Sequence, residues 1–276
     1  MPPAAPSRPP ATCILLATYN AGRFLDEQID SIQKQSTADW TVLARDDGST
    51  DGTIDRLEAW AAADRRIEIV RDVGGRLGPV GNFSRLGQVA LERGARVVVF
   101  ADQDDVWFED KLARTLALMT HTEDRLGRDT PVLVHSDLEL IDGSGHRLHA
   151  SFMRYQHIRH VEATALRTLL VQNFVTGCAS AINRPLLALA TPVPADAIMH
   201  DWWCALCAAA RGTVVFLPTA TAVYRRHGKN AVAVRGFWTT LNPAATSWAE
   251  LWRTGVGTHA RAVGQAEALL ERLDAA

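Results

Sequence analysis

The sequence predicts an α/β fold in which helices cover both faces of a mostly parallel sheet and a helical extension follows at the C-terminus. Short apolar runs alternate with segments of helical periodicity from residue 13 to about residue 136. Such alternation is typical of a parallel sheet whose strands are buried on both faces. The 276 residues are also enough to bury a large core without disulfide or metal staples.

Strand and helix patterns follow one another in the first half of the chain. Strands are predicted at Cys13–Ala17, Thr41–Ala44, Ile67–Val70, Val97–Ala101 and Val132–Val134. After each of the first four strands, apolar residues recur at helical spacing. These sets are Leu25, Ile29 and Ile32, then Ile54, Leu57 and Ala61, then Phe83, Leu86 and Ala90, and last Leu112, Leu116 and Met119.

The alternation ends near residue 140, where Asp142-Gly143-Ser144-Gly145 predicts a turn. Helices are expected over residues 163–171 and 201–210, and a strand over Val214–Leu217. Beyond the break at Asn242-Pro243, the apolar residues Ala266, Leu269 and Leu273 share one helical face.

These patterns predict three parts of the chain. Residues 1–10 are expected to form a disordered, proline-rich tail, residues 11–235 the main domain, and residues 236–276 the helical extension.

Composition excludes several classes of protein. The 29 Lys and Arg residues nearly balance 31 Asp and Glu residues, for a net charge of −2, which argues against a duplex nucleic-acid partner. An apolar run of about 18 residues is absent from the sequence, so no transmembrane segment is expected. Four cysteines are too few for a disulfide framework in a chain of this size, which favours a reducing compartment.

Polar residues follow three of the predicted strands. They are Ala17-Thr18-Tyr19-Asn20, Asp46-Asp47-Gly48-Ser49 and Asp102-Gln103-Asp104-Asp105. Ligands on an open parallel sheet bind beyond the carboxyl ends of its strands, so we expect these loops to meet in one crevice. Five carboxylates in one crevice require a cation, and Mg²⁺ or Mn²⁺ is expected because both prefer oxygen ligands. For Asp46, Asp47 and Asp51, helix capping remains an equal alternative.

Seven segments together resemble the family 2 glycosyltransferases over about Ile14 to Asn230. They are ATYNAGRFLDEQIDSI, RDDGSTDGT, the Asn82-Phe83 pair, FADQDDVW, NFVTGCA, HDWW and YRRHGKN. The resemblance implies the A-type glycosyltransferase fold, which is a Rossmann-like sheet. DQDDVW and YRRHGKN look most like the rhamnosyltransferase members, which implies dTDP-L-rhamnose as donor and bacterial surface polysaccharide as product.

The resemblance implies a donor site in the strand-end loops. Thr18, Tyr19 and Asn20 would lie at the nucleotide, with Asp47 on its base and Asp46 beside it. Asn82 and Arg226 would also contact the nucleotide sugar. Asp102, Gln103 and Asp104 match the D-x-D signature of the family, and the metal ligands implied are Asp104, Asp105 and His227.

The resemblance also implies the catalytic base and the acceptor side. Asp201 occupies the place of the base that takes the acceptor proton in an inverting displacement, although members more often have Glu where this chain has His200. Gly177, Trp202 and Trp203 are the expected acceptor contacts, with core packing an equal alternative for the two tryptophans.

The implied partners are a nucleotide-diphosphate sugar and a saccharide or lipid-linked acceptor. A cytoplasmic location follows, with room for peripheral contact at the inner face of the plasma membrane and for a homodimer. Two other functions stay open: a transferase with a UDP-hexose donor, and a nucleotide-sugar-binding protein without transfer. A nicotinamide oxidoreductase is disfavoured because Gly75, Gly78 and Gly81 do not form G-x-G-x-x-G. Cys204 and Cys207 form a C-x-x-C pair that is expected to be packed and inert.

Overall fold

The computed structural model of the chain describes residues 11–72, 75–226 and 248–275. Within these ranges, nine strands form one sheet. They are β1 (Thr12–Thr18), β2 (Thr41–Asp46), β3 (Ile67–Ile69), β4 (Val97–Ala101), β5 (Val106–Trp107), β6 (Val132–Asp142), β7 (Arg147–His149), β8 (Ser180–Asn183) and β9 (Thr213–Arg226). The order across the sheet is β3-β2-β1-β4-β8-β6-β9-β5, with β7 paired to β6.

The helices lie between strands in the sequence, except for the last, which follows β9. They are α1 (Leu25–Gln33), α2 (Thr53–Ala63), α3 (Gly78–Glu92), α4 (Lys111–Leu126), α5 (Phe152–Tyr155), α6 (Ala165–Leu169), α7 (Arg184–Ala190), α8 (His200–Arg211) and α9 (Trp248–Asp274). The predicted α/β class with helices on both faces of the sheet is therefore confirmed.

The first four strands form the parallel part of the sheet. β1 pairs in parallel with both β2 and β4, and β2 pairs in parallel with β3. Residues of β1 alternate between two cores: Cys13 and Leu15 pack with α3, α7 and α8, whereas Ile14 and Leu16 pack on the opposite face with α1, α2 and α4. Burial on both faces explains why this part of the sequence shows uninterrupted apolar runs.

The second half of the sheet is mixed. β8 runs antiparallel to both β4 and β6, while β6 and β9 form a long parallel pair. β8 and the helix after it, α7, are absent from the sequence-based prediction, and β9 is much longer than the predicted Val214–Leu217. The register of β6 against β9 shifts near Asp137, so a period-2 pattern cannot be followed through this region.

Helix α9 packs on the domain through its last turns. Gln265 accepts a hydrogen bond from the Ile198 backbone N–H at 3.0 Å, and Arg272 donates to the Leu189 carbonyl at 2.8 Å. Leu269 is buried against the core on the side of α8. The described helices include none with both the length and the apolar character of a membrane span. The predicted tail over residues 1–10 lies outside the described residues.

Candidate active site

A cavity of about 570 Å³ opens beyond the carboxyl ends of β1, β2 and β4, between α3 and α8. The three strand-end loops meet here, as their positions in a parallel sheet require. Ten of the residues expected at the site line this cavity. They are Thr18, Tyr19, Asp47, Asn82, Asp102, Gln103, Asp104, Gly177, Asp201 and Trp202.

The loops after β1 and β4 are joined by a reciprocal pair of hydrogen bonds. The Tyr19 backbone N–H donates to Gln103 Oε1 at 2.7 Å, and Gln103 Nε2 donates to the Tyr19 carbonyl at 3.1 Å. The Tyr19 side chain takes no part in this pairing and is 37% exposed. Arg76 lies over its ring at 3.9 Å and also lines the cavity, so a cation and an aromatic face flank the cavity together.

Asp46 and Asn20 shape the loop after β2. Asp46 accepts hydrogen bonds from Thr18 Oγ1 and from the backbone N–H groups of Gly48 and Ser49, at 2.9, 3.1 and 2.7 Å. Asn20 accepts from the Thr50 backbone at 2.9 Å. The structure thus uses both side chains to fold the loop rather than to line the cavity, and Asp46 bonds within the loop without capping α2, whose N-cap is Gly52.

Asp47 is held toward the cavity by donors on three sides. Its carboxylate accepts from Arg45 Nη1 at 2.9 Å and from the backbone N–H groups of Leu77 and Gly78 at 2.7 and 2.8 Å. Arg45 is only 2% exposed. It also pairs with Asp72 and donates to Asn82 Oδ1 at 3.3 Å, so one buried cation orients two of the expected nucleotide contacts.

Sequence analysis did not single out Arg45. Its position inside a strand pattern, directly before two aspartates, was the available signal, because a buried arginine needs acidic partners.

The acidic loop after β4 brings two of its carboxylates close together. One ligand atom each of Asp102, Asp105 and Cys178 lie within 4.8 Å of one another. Burial, together with the neighbouring Asp105, Asp104 and Asp201, raises the pKa of Asp102 well above its usual range. Burial and the adjacent Asp104 raise the pKa of Asp105 to about 7. Among the described residues, Asp105 Oδ2 has no hydrogen-bond partner.

The donor set of this loop fits a divalent cation. Carboxylate oxygens suit Mg²⁺ and Mn²⁺, and a buried carboxylate oxygen without a partner is a group that an ion would satisfy. The structure places the Cys178 thiol beside Asp102 and Asp105, puts Asp104 in the cavity wall, and leaves the expected metal ligand His227 outside the described residues. Cys178 belongs to the NFVTGCA segment, but a single cysteine in an apolar run gives no metal-ligand spacing to detect.

Two further cations border the acidic loop. Lys111 is buried and donates to the Cys178 carbonyl at 2.9 Å, and burial lowers its pKa to about 8. Arg225 donates from its backbone N–H to Asp105 Oδ1 at 3.3 Å and from Nε to the Asp104 carbonyl at 3.1 Å. The expected donor contact Arg226 instead donates to the Tyr155 hydroxyl at 3.2 Å, and Arg225 is the member of the pair that contacts the loop.

Asp201 lies in the first turn of α8 and is oriented by backbone donors. Its Oδ2 accepts from the Gly177 N–H at 2.8 Å, and its Oδ1 accepts from the Trp202 N–H at 2.6 Å. Burial raises the pKa of Asp201 to about 6. The group is therefore ionised near pH 7 while remaining a better proton acceptor than an exposed aspartate, as a general base requires.

The two tryptophans after Asp201 have different surroundings. Trp202 lines the cavity, and its Nε1 donates to the Leu169 carbonyl at 2.6 Å. Trp203 is fully buried, with Nε1 donating to the Ala190 carbonyl at 2.9 Å. Trp203 is therefore a core residue, which favours the core-packing alternative over an acceptor contact for this tryptophan; helix α8 turns adjacent side chains to different faces.

The family model described as Glycosyl transferase family 2 matches residues 13–186. The chain is 31% identical to dTDP-rhamnosyl transferase RfbG of Shigella flexneri over 102 residues, which are 37% of this chain and 35% of RfbG. It is 30% identical over 106 residues to UDP-Glc:alpha-D-GlcNAc-diphosphoundecaprenol beta-1,3-glucosyltransferase WfgD of Escherichia coli, covering 38% of this chain and 40% of WfgD. These matches span less than half the length of either relative.

Solved structures share the fold. The mannosyltransferase PcManGT from Pyrobaculum calidifontis, solved with GDP-Man and Mn²⁺, matches with a TM-score of 0.56 at 20% identity, covering 98% of this chain and 76% of PcManGT. At this identity the match supports the fold alone. Because the family model covers more than half of the sequence, the chain belongs to glycosyl transferase family 2.

Proposed function

We propose that this chain is a metal-dependent, inverting glycosyltransferase that moves a sugar from a nucleotide-diphosphate donor to a saccharide or lipid-linked acceptor. The observation that carries the proposal is the placement of Asp201 and the acidic loop in the wall of one cavity. An ionisable base and a cluster of oxygen ligands are the two groups that such a transfer needs on opposite sides of the reacting carbon.

The proposed roles of the residues follow from their positions in the cavity. Asp47, fixed by Arg45 and two backbone N–H groups, would accept a hydrogen bond from the nucleobase, while Thr18 and Tyr19 line the same end of the cavity. Asp102, Asp104 and Asp105 would hold Mg²⁺ or Mn²⁺. When bound, such an ion neutralises the negative charge that develops on the departing diphosphate.

Asp201 would remove the proton from the acceptor hydroxyl. The acceptor oxygen forms its bond to the anomeric carbon as the bond from that carbon to the diphosphate oxygen breaks, and the electron pair leaves with the diphosphate. The proton passes to the Asp201 carboxylate, which Gly177 and Trp202 hold in position. A single displacement of this kind inverts the anomeric configuration.

The proposed donor is dTDP-L-rhamnose. Similarity to RfbG, whose name gives a dTDP-rhamnosyl transferase, supports this choice. Apolar side chains in the cavity wall, among them Phe83, Val175 and Ile198, would suit the methyl group of a 6-deoxy sugar. The name of WfgD supports the alternative of a UDP-hexose donor and the proposal of a lipid-linked acceptor in surface polysaccharide synthesis.

A thermal-shift panel tests the proposal. The purified chain is heated with dTDP-L-rhamnose, UDP-glucose, GDP-mannose, dTDP or UDP, each with and without Mn²⁺. A ligand stabilises only the state that it binds, so dTDP-L-rhamnose with Mn²⁺ should give the largest rise in melting temperature. A larger rise in melting temperature with UDP-glucose would favour a UDP-hexose donor instead. An unchanged melting temperature with every nucleotide would refute donor binding altogether.

A binding protein without transfer activity is the second candidate. It predicts the same thermal shifts but no release of nucleoside diphosphate. Measuring dTDP release from dTDP-L-rhamnose with Mn²⁺ and a rhamnose-accepting glycan extract separates the two, because only a transferase releases more dTDP with acceptor than without it.

A further inference from the structure

Five consecutive residues around the start of α8 form one side of the cavity. They are Ile198, Met199, His200, Asp201 and Trp202. The first two belong to the irregular segment between α7 and α8, and the proposed base, Asp201, follows Met199 by two residues. The path of this segment therefore helps to set where the Asp201 carboxylate stands in the cavity.

Helix α8 begins without a side-chain cap. Met199 occupies the N-cap position, and its side chain makes no capping hydrogen bond to the described residues. Ser, Thr, Asp or Asn commonly supply such a bond and so fix the first turn of a helix. Here a restraint comes from α9 instead, because Gln265 Oε1 accepts a hydrogen bond from the Ile198 backbone N–H at 3.0 Å. The C-terminal helix thus holds the residue directly before the N-cap of α8.

Gln265 occupies a position where helical periodicity predicts an apolar residue. It lies between Ala262 and Leu269, at spacings of three and four residues, and all three side chains are buried, with Gln265 only 1% exposed. Burying an amide is unfavourable unless the amide is hydrogen-bonded, so an apolar side chain would dock α9 at least as well. The bond to Ile198 therefore accounts for the glutamine better than packing does.

Another contact of α9 reaches the chain farther from the proposed base. Arg272 donates to the carbonyls of Leu189 and Pro192 at 2.8 and 2.7 Å. Directly after Pro192 the segment has a separate anchor in α3, because the Val193 backbone N–H donates to Ser84 Oγ at 2.9 Å. The Arg272 bonds therefore hold α9 on the domain without acting directly on the last residues before α8.

We propose that Gln265 is a positioning residue for the transfer reaction: by holding the Ile198 N–H, it places the start of α8 so that Asp201 meets the acceptor hydroxyl. The inference rests on the proposed function, because it requires Asp201 to act as the base. It gives the C-terminal helix a part in catalysis, although none of the residues of α9 that the structure describes lines the cavity.

Turnover and donor binding of Gln265 variants test the proposal on the full chain. Gln265→Met keeps the length of the side chain but cannot accept the hydrogen bond. Its turnover at saturating donor and acceptor, measured as dTDP release, should fall about 10-fold, because a small displacement of a catalytic group slows the reaction strongly. Calorimetry with dTDP-L-rhamnose and Mn²⁺ should show a donor affinity within about 2-fold of the wild type, since the donor contacts are unchanged.

Arg272→Met is the matched control on the same helix. It removes two hydrogen bonds to backbone carbonyls but leaves the Ile198 N–H bonded. Its melting temperature should fall by about 2–4 °C, at least as much as that of Gln265→Met. Its turnover should nevertheless stay within about 2-fold of the wild type, because the two contacts act on separate parts of the chain.

Two further variants separate the hydrogen bond from a merely structural role. Gln265→Glu keeps an oxygen at the same reach, beside a helix N-terminus that favours negative charge, and should recover most of the turnover. Gln265→Asn is one methylene group shorter and should behave like Gln265→Met. If Gln265→Met does not fold, the comparison of these two variants decides, and equal turnover in both refutes the proposal.

Three other outcomes also overturn the proposal. Wild-type turnover in Gln265→Met would show that α8 starts in the same place without the bond. Equal losses of turnover and donor affinity would mean that the whole cavity is disturbed, and an equal loss of turnover in Arg272→Met would assign the effect to docking of α9. UDP-glucose replaces dTDP-L-rhamnose if the wild type binds only that donor. A wild type that transfers neither sugar refutes the proposed function itself, before any variant is compared.

Discussion

The loops after β2 and β4 both carry neighbouring aspartates beside the same cavity, but the protein surrounds them differently. After β2, Asp46 and Asp47 are met by backbone N–H groups and, for Asp47, by the buried Arg45. After β4, Asp102 and Asp105 lie close together, their pKa values are raised by burial and by other carboxylates, and Asp105 Oδ2 has no partner in the described part of the chain. In the first loop the protein bonds both carboxylates, whereas in the second, although Lys111 and Arg225 lie nearby, one carboxylate oxygen of Asp105 is left without a partner among the described residues.

Asp201 combines features of both loops, and its substitution is expected to have the largest effect on activity. It has the raised pKa of the β4 loop and the backbone donors of the β2 loop. Asp201→Asn should lower turnover by about 10²–10⁴-fold, because the amide cannot accept the acceptor proton. Turnover at saturating donor and acceptor measures the loss, and calorimetry should show donor affinity within a factor of about 2 of the wild type, as one bond at most is altered. Turnover near the wild-type rate would remove Asp201 from the role of base.

Asparagine substitutions at Asp105 and Asp46 should change stability in opposite directions. With EDTA at pH 8, Asp105→Asn should stabilise the fold by up to a few kcal/mol, because it removes a buried charge whose pKa is raised to about 7. Asp46→Asn should destabilise it by about 1–3 kcal/mol, since an amide cannot accept all the hydrogen bonds that the carboxylate receives. Denaturant unfolding of both variants measures the two values. If both variants changed the free energy of unfolding in the same direction, the proposed difference between the two loops would be wrong.

The pH dependence of turnover should report Asp201. Its base form is lost as the pH falls through about 6, the value to which burial raises its pKa. Turnover should therefore fall about 10-fold per pH unit well below pH 6 and level off above pH 7. A profile at saturating substrates and constant Mn²⁺ tests this, and a midpoint near 4 would mean that the carboxylate is not buried during catalysis.

Without metal, the contribution of Asp105 to stability should fall as pH rises. Asp105 binds its proton more tightly in the folded state than in the unfolded chain, so its contribution to stability is complete below the unfolded pKa and is lost as pH rises through about 7. In EDTA, the melting temperature of Asp105→Asn relative to the wild type should therefore rise between pH 5 and pH 8. Mn²⁺ competes with the proton, so its stabilising effect should be greater at pH 8 than at pH 5. An effect of Mn²⁺ that is independent of pH would contradict binding at these carboxylates.

The smallest effect is expected at the link between β1 and the β2 loop. Thr18→Val keeps the shape of the side chain but removes the hydrogen bond to Asp46 Oδ1. The loss should be about 1 kcal/mol in the free energy of unfolding, with little change in Mn²⁺ affinity. Denaturant titration measures the first and calorimetry the second, and a large loss of Mn²⁺ affinity would show that the two loops are not independent.

Sequence patterns predicted the parallel half of the sheet well because its strands are buried on both faces. β1, β2 and β4 appear as short apolar runs, and the loops that follow them meet where parallel topology requires. β8 has only four residues, Ser180–Asn183, and its antiparallel direction cannot be recognised from its composition. β9 carries exposed and half-buried residues through its middle, so only its first part stood out.

The candidate site was predictable in its residue types but not in its bonding. Acidic residues at strand ends indicated the cavity. The position of Cys178 beside Asp102 and Asp105, by contrast, depends on its loop being folded against β4. The positions of Arg45 and Arg225 depend equally on tertiary contacts, since each pairs with groups distant in sequence. The different surroundings of Trp202 and Trp203 likewise come from how α8 packs against the sheet.

The pairing of Gln103 with the main chain of Tyr19 bears on how donor preference could evolve. The Gln103 amide hydrogen-bonds to the backbone of residue 19, so the link between the loops after β1 and β4 does not depend on the side chain at that position. Position 19 can therefore accept substitutions that change the side chain facing the cavity while the hydrogen bonds between the loops after β1 and β4 stay intact. Variants with altered sugar-nucleotide preference are therefore expected to arise at position 19 before they arise at the hydrogen-bonded aspartates.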